Sequence, residues 1–309
     1  MTEPDTVSES KLPLRRAMTL ALGRLEQPVI TEYQLAVLLF RLYQSKKFGT
    51  YPLRLKKAHP DSADLRTLVN DLLELGVLNP NNDFPRSTVY NILGKSETAA
   101  EEILCSVDPF AYLSHLSAME YHGLTNRVSK VLCYSTPAQK EWQVAAIEKM
   151  RTDIGSVYEE QYHESGLPLL TTIKFTKINK RHVTKYSSLH KGAFKLIKGR
   201  MLRMATIGRT FLDMLRRPDL CGGMNHVLEV FRNYAKTNLN LIIDELNTNG
   251  TAIEKVRAGY ILEEECNVKT NPTIESWRNY VQRGGSRKLD PYNEYSSTYS
   301  ERWCLSINI

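Results

Sequence analysis

Apolar residues recur with helical spacing through the first quarter of the chain. Leu14, Met18, Ala21, Leu22 and Leu25 fall at i, i+4, i+7, i+8 and i+11, which predicts an amphipathic helix. Thr31-Glu-Tyr-Gln34 has the form of a capping box: the Thr hydroxyl accepts from the Gln34 N–H and the Gln side chain reaches back. It opens a second helix with Leu35, Leu38, Leu39 and Leu42 as its stripe. Asp61 caps a third, with Leu65, Leu68, Val69, Leu72 and Leu73 inward and Gly76 as the stop. A basic connection containing Gly and Pro, from Ser45 to Pro60, joins the second helix to the third. Val77-Leu78, a turn-rich Asn79-Pro-Asn-Asn-Asp83 and a β-leaning Thr88–Leu93 follow. Three helices and then a hairpin is the order of a winged helix-turn-helix, in which the third helix enters the major groove. Its outward residues are Ser62, Arg66, Thr67 and Asn70, types that donate to base edges or phosphates. A small helical domain that only mediates contacts has the same pattern.

The later pattern is mixed. Ser96–Leu104 predicts a linking helix with Thr98-Ala-Ala-Glu101 as a capping box. Strands are expected at Val131–Tyr134, Ile173–Ile178 and Phe194–Ile197, and at the terminal Trp303–Asn308. Between them lie four helical stripes: Ile207/Phe211/Leu212/Leu215, Val227/Leu228/Phe231/Tyr234, Leu239/Ile242/Ile243/Leu246, and one capped by Thr251-Ala-Ile-Glu254. No internal repeat is visible. The expectation is an α+β chain of two domains, a winged helix-turn-helix over 1–95 and a mixed α/β domain over 96–309.

Charge sharpens this reading. The 309 residues carry 41 Lys+Arg and 34 Asp+Glu, a net +7. The bases are clustered. Arg41, Lys46, Lys47, Arg54, Lys56 and Lys57 occur with no acid among them, and eleven bases between Ser165 and Leu212 have none either. Clustered charge of one sign attracts polyanions, nucleic acid first. The DNA-binding candidates are therefore Lys46, Lys47, Arg54, Lys56 and Lys57 in the connection, Ser62, Arg66, Thr67 and Asn70 on the third helix, and Arg86 in the hairpin. Lys174, Lys177, Lys180, Arg181, Lys185, Lys195, Lys198 and Arg200 are expected to form a basic C-terminal surface that contacts RNA or further DNA. The other reading of both clusters is a solvated face neutralised by acids from elsewhere in the fold.

Little points to catalysis. The five cysteines include no CxxC, which fits reduced, buried thiols in the cytoplasm. Met1–Ser10 carries three acids and no base, so a secretory leader is not expected, and no apolar run approaches a membrane span. The seven histidines give no metal-ligand spacing, and there is no GxSxG, Walker A or GxGxxG. Gly284-Gly285-Ser286 resembles the loop of nucleotidyltransferases, but no pair of carboxylates follows it. The chain is expected to be no enzyme, with no cofactor and no metal.

Three motifs, in order, resemble the AbiEi family of antitoxins. The first is Asp108-Pro followed by Tyr112-Leu-Ser-His-Leu-Ser-Ala118 and His122-Gly-Leu-Thr125. The second is Thr206-Ile-Gly-Arg-Thr-Phe-Leu-Asp213 with Arg217-Pro and Gly222-Gly223; the third is Leu289-Asp-Pro291 with Arg302-Trp303 and Ile307-Asn308. The resemblance covers about 108 to 308. It implies a bacterial antitoxin of a type IV toxin–antitoxin, phage-defence pair. An N-terminal winged helix would bind inverted repeats in its own promoter double-stranded DNA and repress it. The C-terminal domain would counter an AbiEii-like nucleotidyltransferase toxin without a stable complex. The chain departs from many members before residue 90, where helix 2 is long and the segment before helix 3 extended. Rival readings are a stand-alone transcriptional regulator and an enzyme acting on nucleic acid across the 165–212 block.

Overall fold

A computed structural model describes residues 11–95, 99–188, 193–268, 271–283 and 287–309. The expected Thr98 cap and the Gly284–Ser286 loop lie outside these residues. The chain is α+β, and its contacts divide it into two compact units that are interleaved in sequence. One comprises 1–110, 138–180 and 198–201; the other 111–137, 181–197 and 202–309. The units thus do not follow the expected division at 95/96.

The first unit opens with α1 (Leu14–Gly23), α2 (Glu32–Ser45) and α3 (Ser62–Glu74). The Thr31/Gln34 capping box is present, and Asp61 forms a second one with Asp64. A three-stranded antiparallel sheet orders Val29–Thr31, Val89–Ile92 and Leu78–Pro80, so the last two strands form a hairpin after α3. The Ser45–Pro60 connection is not a plain loop. Lys47–Phe48 and Tyr51–Arg54 pair as a second hairpin, with Leu12–Pro13 parallel on its other edge.

The reason the unit extends past 95 lies in its core. A helix over Gln139–Ile154, which apolar periodicity does not reveal, buries Trp142, Ala146 and Ile154 in the same cluster as Leu35, Leu39 and Phe40 of α2. Val144 and Ile147, between these buried positions, are exposed, so the stripe is blurred in sequence. Tyr162, Leu167 and Leu170 complete the cluster, and the Tyr162 ring meets Phe40 edge-on at 5.1 Å. Polar contacts agree: Tyr33 Oη donates to Asp153 Oδ2 at 3.0 Å, and Arg41 donates to the Asp153 carbonyl at 2.8 and 2.6 Å.

In the second unit five strands lie side by side in the order Phe194–Leu196, Arg203–Ala205, Tyr112–Leu113, Val131–Pro137 and Arg181–Ser188. Val131–Pro137 runs parallel to His182–Ser188 and antiparallel to Tyr112–Leu113. The four expected helices appear as Ile207–Arg216, Met224–Tyr234, Leu239–Asn249 and Ala252–Tyr260, the last with its Thr251/Glu254 capping box. Two expected strands are shorter than their apolar patterns. Of Ile173–Ile178 only Lys177–Ile178 is extended, and of Trp303–Asn308 only Leu305–Ser306. Trp303 is fully buried instead, so close to Gly259 that an added Cβ there would meet its ring at 2.1 Å. Among the described residues, no helix is long and apolar enough to cross a membrane.

Candidate nucleic-acid interface

Helix α3 sorts its residues as the pattern requires. Leu65, Leu68, Val69 and Leu72 are buried, while Ser62, Arg66, Thr67 and Asn70 are exposed. The hairpin that follows stands beside this outward face and leaves a groove of about 930 Å³ between them. Ser62, Arg66 and Asn70 line one wall; Asn82, Arg86 and Ser87 line the other. Four of the ten expected DNA-binding residues therefore share one concave surface, with Thr67 exposed on the same helix. The hairpin is fixed by its own hydrogen bonds. Asn81 Nδ2 donates to Asn91 Oδ1 at 2.8 Å, and Asp83 N–H donates to Asn81 Oδ1 at 3.1 Å. Donors of this kind, held on a rigid frame, suit base edges and phosphates. Glu32 also lines the groove, and its burial raises its carboxyl above the ordinary value.

The remaining five lie before α3. Lys46, Lys47, Arg54 and Lys56 are exposed, the first in a left-handed conformation closing α2. Lys57 is differently placed. Its ammonium lies 2.6 Å from Asp61 Oδ2 and 3.1 Å from Asp64 Oδ2, at the N-terminus of α3. Hydrogen bonding by Lys57 pulls the Asp61 carboxyl down to about 2, and the same contacts raise Lys57. This lysine fastens the start of the helix rather than offering a free cation. Acid-free sequence thus did not mean an acid-free surface, because Asp61 and Asp64 lie just beyond the window.

The residues expected to form a basic C-terminal surface divide between the two units. Lys174, Lys177, Lys180, Lys198 and Arg200 belong to the first unit; Arg181, Lys185 and Lys195 belong to the second. Arg200 is paired with Glu102 at 2.6 Å, and Arg181 donates to the Ser129 carbonyl at 3.2 Å. Two further bases of the block, Arg203 and Arg209, are buried. Lys174, Lys177 and Lys180 are exposed next to the hairpin after α3: Asn179 N–H donates to Asp83 Oδ2 at 2.8 Å, and Phe175 packs edge-on against Phe84 at 5.3 Å. Chain direction alone gave no sign of this return to the first unit.

In the second unit the first two motifs converge. The strand Tyr112–Leu113 turns sharply into a helix through His115, which has φ +51°. Ser114 Oγ lies 2.8 Å from His115 Nδ1 and accepts from Ser135 Oγ at 2.8 Å, while Ser117 Oγ accepts the Cys133 N–H at 2.9 Å. The small side chains of this motif thus let the helix sit on the neighbouring strand. Arg209 Nε donates to Asp213 Oδ1 at 2.8 Å, with both side chains fully buried, and Arg209 Nη2 donates to Ser188 Oγ at 3.1 Å. Burial lowers His115, with Asp213 opposing that shift. The third motif is also internal: Asn308 Oδ1 accepts the Asp290 N–H and its Nδ2 donates to the Asp290 carbonyl, each at 2.9 Å. All five cysteines are free and buried, and burial raises Cys221 far above a reactive thiol.

No family model matches the chain, and no curated protein matches it. Among solved structures, it is similar to the RV2827C protein from Mycobacterium tuberculosis, with a TM-score of 0.47 at 11% identity over 94% of this chain and 90% of that one.

Proposed function

We propose that this protein is a DNA-binding antitoxin and autorepressor, without enzymatic activity of its own. Its first unit would act as a winged helix-turn-helix, with α3 as recognition helix and the hairpin Leu78–Ile92 as wing. One observation carries this reading: the groove that places Ser62, Arg66 and Asn70 of α3 opposite Arg86 of the hairpin. Exposed Lys174, Lys177 and Lys180 beside the hairpin support a DNA face wider than α3 alone. Phosphate contacts from such lysines add affinity without sequence preference. The antitoxin half of the reading rests on the three motifs, and the toxin would be an AbiEii-like nucleotidyltransferase that forms no stable complex with this chain.

The test pairs two readouts in one cell. A reporter under the DNA upstream of the coding sequence measures repression, and survival on induction of the neighbouring toxin measures protection. Arg66→Ala with Arg86→Ala should abolish repression and leave protection intact. Repression that survives this variant, or protection lost together with it, would count against a groove dedicated to DNA.

A further inference from the structure

The segment between α2 and α3 is a built element with one anchored face and one free one. Its strands Lys47–Phe48 and Tyr51–Arg54 are antiparallel across Gly49-Thr50, and Leu12–Pro13 pairs with Leu53–Arg54 in parallel. Side chains alternate across such a ribbon. Leu53 is buried in the core of the unit and Phe48 packs against it, with the Arg24 guanidinium 4.5 Å from the Phe48 ring centroid. Arg54 and Pro52 therefore face the other way, and Lys47, directly opposite Pro52, joins them. Lys46 and Lys56 flank this face, Lys11 directly precedes the paired strand Leu12–Pro13, and Arg15 and Arg16 follow it in the first turn of α1; all are exposed.

Neither Lys11–Leu25 nor Arg41–Lys57 contains a carboxylate. Among the described residues, no acid pairs with Lys46, Lys47, Arg54 or Lys56; the Asp61 and Asp64 carboxylates are engaged by Lys57. Like charges on one face of a sheet repel one another. A polyanion laid along that face relieves the repulsion. The Lys57 contacts also tie the exit of the ribbon to the first turn of α3, so ribbon and helix present themselves together.

We propose that this ribbon is a second DNA-binding element, gripping the phosphate backbone beside the stretch covered by α3. The inference rests on the promoter-binding reading above and adds to it a specific surface. Cations on flexible stems contact phosphates without reading bases, so the ribbon lengthens the site and strengthens binding while leaving sequence preference to α3.

The experiment uses the full chain and duplex DNA from upstream of its coding sequence. Affinity is measured against salt, and hydroxyl-radical protection maps the contact. Lys47→Ser with Arg54→Ser should lower the slope of log affinity against log salt by about two, close to the ~0.9 per phosphate expected for duplex DNA. One end of the protected tract should disappear, and the part disturbed by Arg66→Ala should remain. Lys47→Arg with Arg54→Lys should keep both slope and tract. An unchanged slope and tract in the serine variant would overturn the proposal, as would a slope change seen with single-stranded RNA alone. Wild-type chain that protects no duplex would instead remove the promoter-binding reading itself, so the two failures are told apart.

Discussion

Cutting the chain after residue 95 should destroy the first unit rather than isolate a folded domain. The cut removes Trp142, Ile154, Tyr162, Leu167 and Leu170, large side chains that share a core with α2. At about 1.5–3 kcal/mol for each fully buried apolar side chain, the loss is roughly 7–15 kcal/mol. That equals the whole stability of an ordinary domain, about 5–15 kcal/mol. The cut also strips Tyr33 of Asp153 and leaves Phe40 without Tyr162. The same reasoning applies to a point change: Tyr162→Ala, 0% exposed in the intact chain, should cost about 3–5 kcal/mol. Near-UV circular dichroism and urea unfolding of the 1–95 fragment are the assay, with footprinting on upstream DNA beside it. The expected result is weak aromatic dichroism, no sharp transition and no footprint. A fragment that unfolds cooperatively and protects the same tract as the full chain would refute the composite core.

Two further changes probe the second unit. Asp213→Ala should destabilise it by about 3–5 kcal/mol in urea, because Arg209 is then a buried cation without its 2.8 Å partner; the double change Arg209→Met with Asp213→Leu should recover much of that, and a single-variant cost below about 1 kcal/mol would contradict the pairing. His115 is held below its ordinary value near 6.5 by burial. Below that pH the unfolded chain takes up a proton that the folded chain resists, so stability falls as pH drops, by up to about 1.4 kcal/mol per pH unit. His115→Asn, which tolerates the left-handed backbone, should flatten the dependence of urea midpoint on pH between 6.5 and 5.5; an unaltered slope would show that this imidazole already titrates normally.

Much of the first unit was legible because its signals are local. The Thr31/Gln34 box, the Asp61 cap and the stripe of α3 depend only on residues three or four apart, and the outward set Ser62, Arg66, Thr67 and Asn70 follows from the same periodicity. What sequence could not supply was which distant segments share a core. The helix Gln139–Ile154 divides its apolar residues between a buried and an exposed face, so no stripe marks it. Lys174–Lys180 looked like part of a C-terminal surface because the chain's return to the first unit leaves no periodic trace. The ribbon Lys47–Arg54 was hidden by Gly49 and Pro52, which read as loop residues. Charge misled where it was counted along the chain: Arg203 and Arg209 are interior, and Arg200 and Lys57 already have carboxylate partners.

If the groove between α3 and the hairpin reads base sequence, Arg66 and Asn70 decide which bases are preferred. This is tested most directly by selecting duplexes from a randomised pool with the full chain and with Arg66→Ala and Asn70→Ala. The wild-type chain should enrich one defined sequence. Each variant should then relax preference at only one or two positions of it, at roughly 1–3 kcal/mol per lost base contact. Enrichment of the same sequence with undiminished preference by both variants, or no enrichment by the wild type, would contradict base reading by this groove.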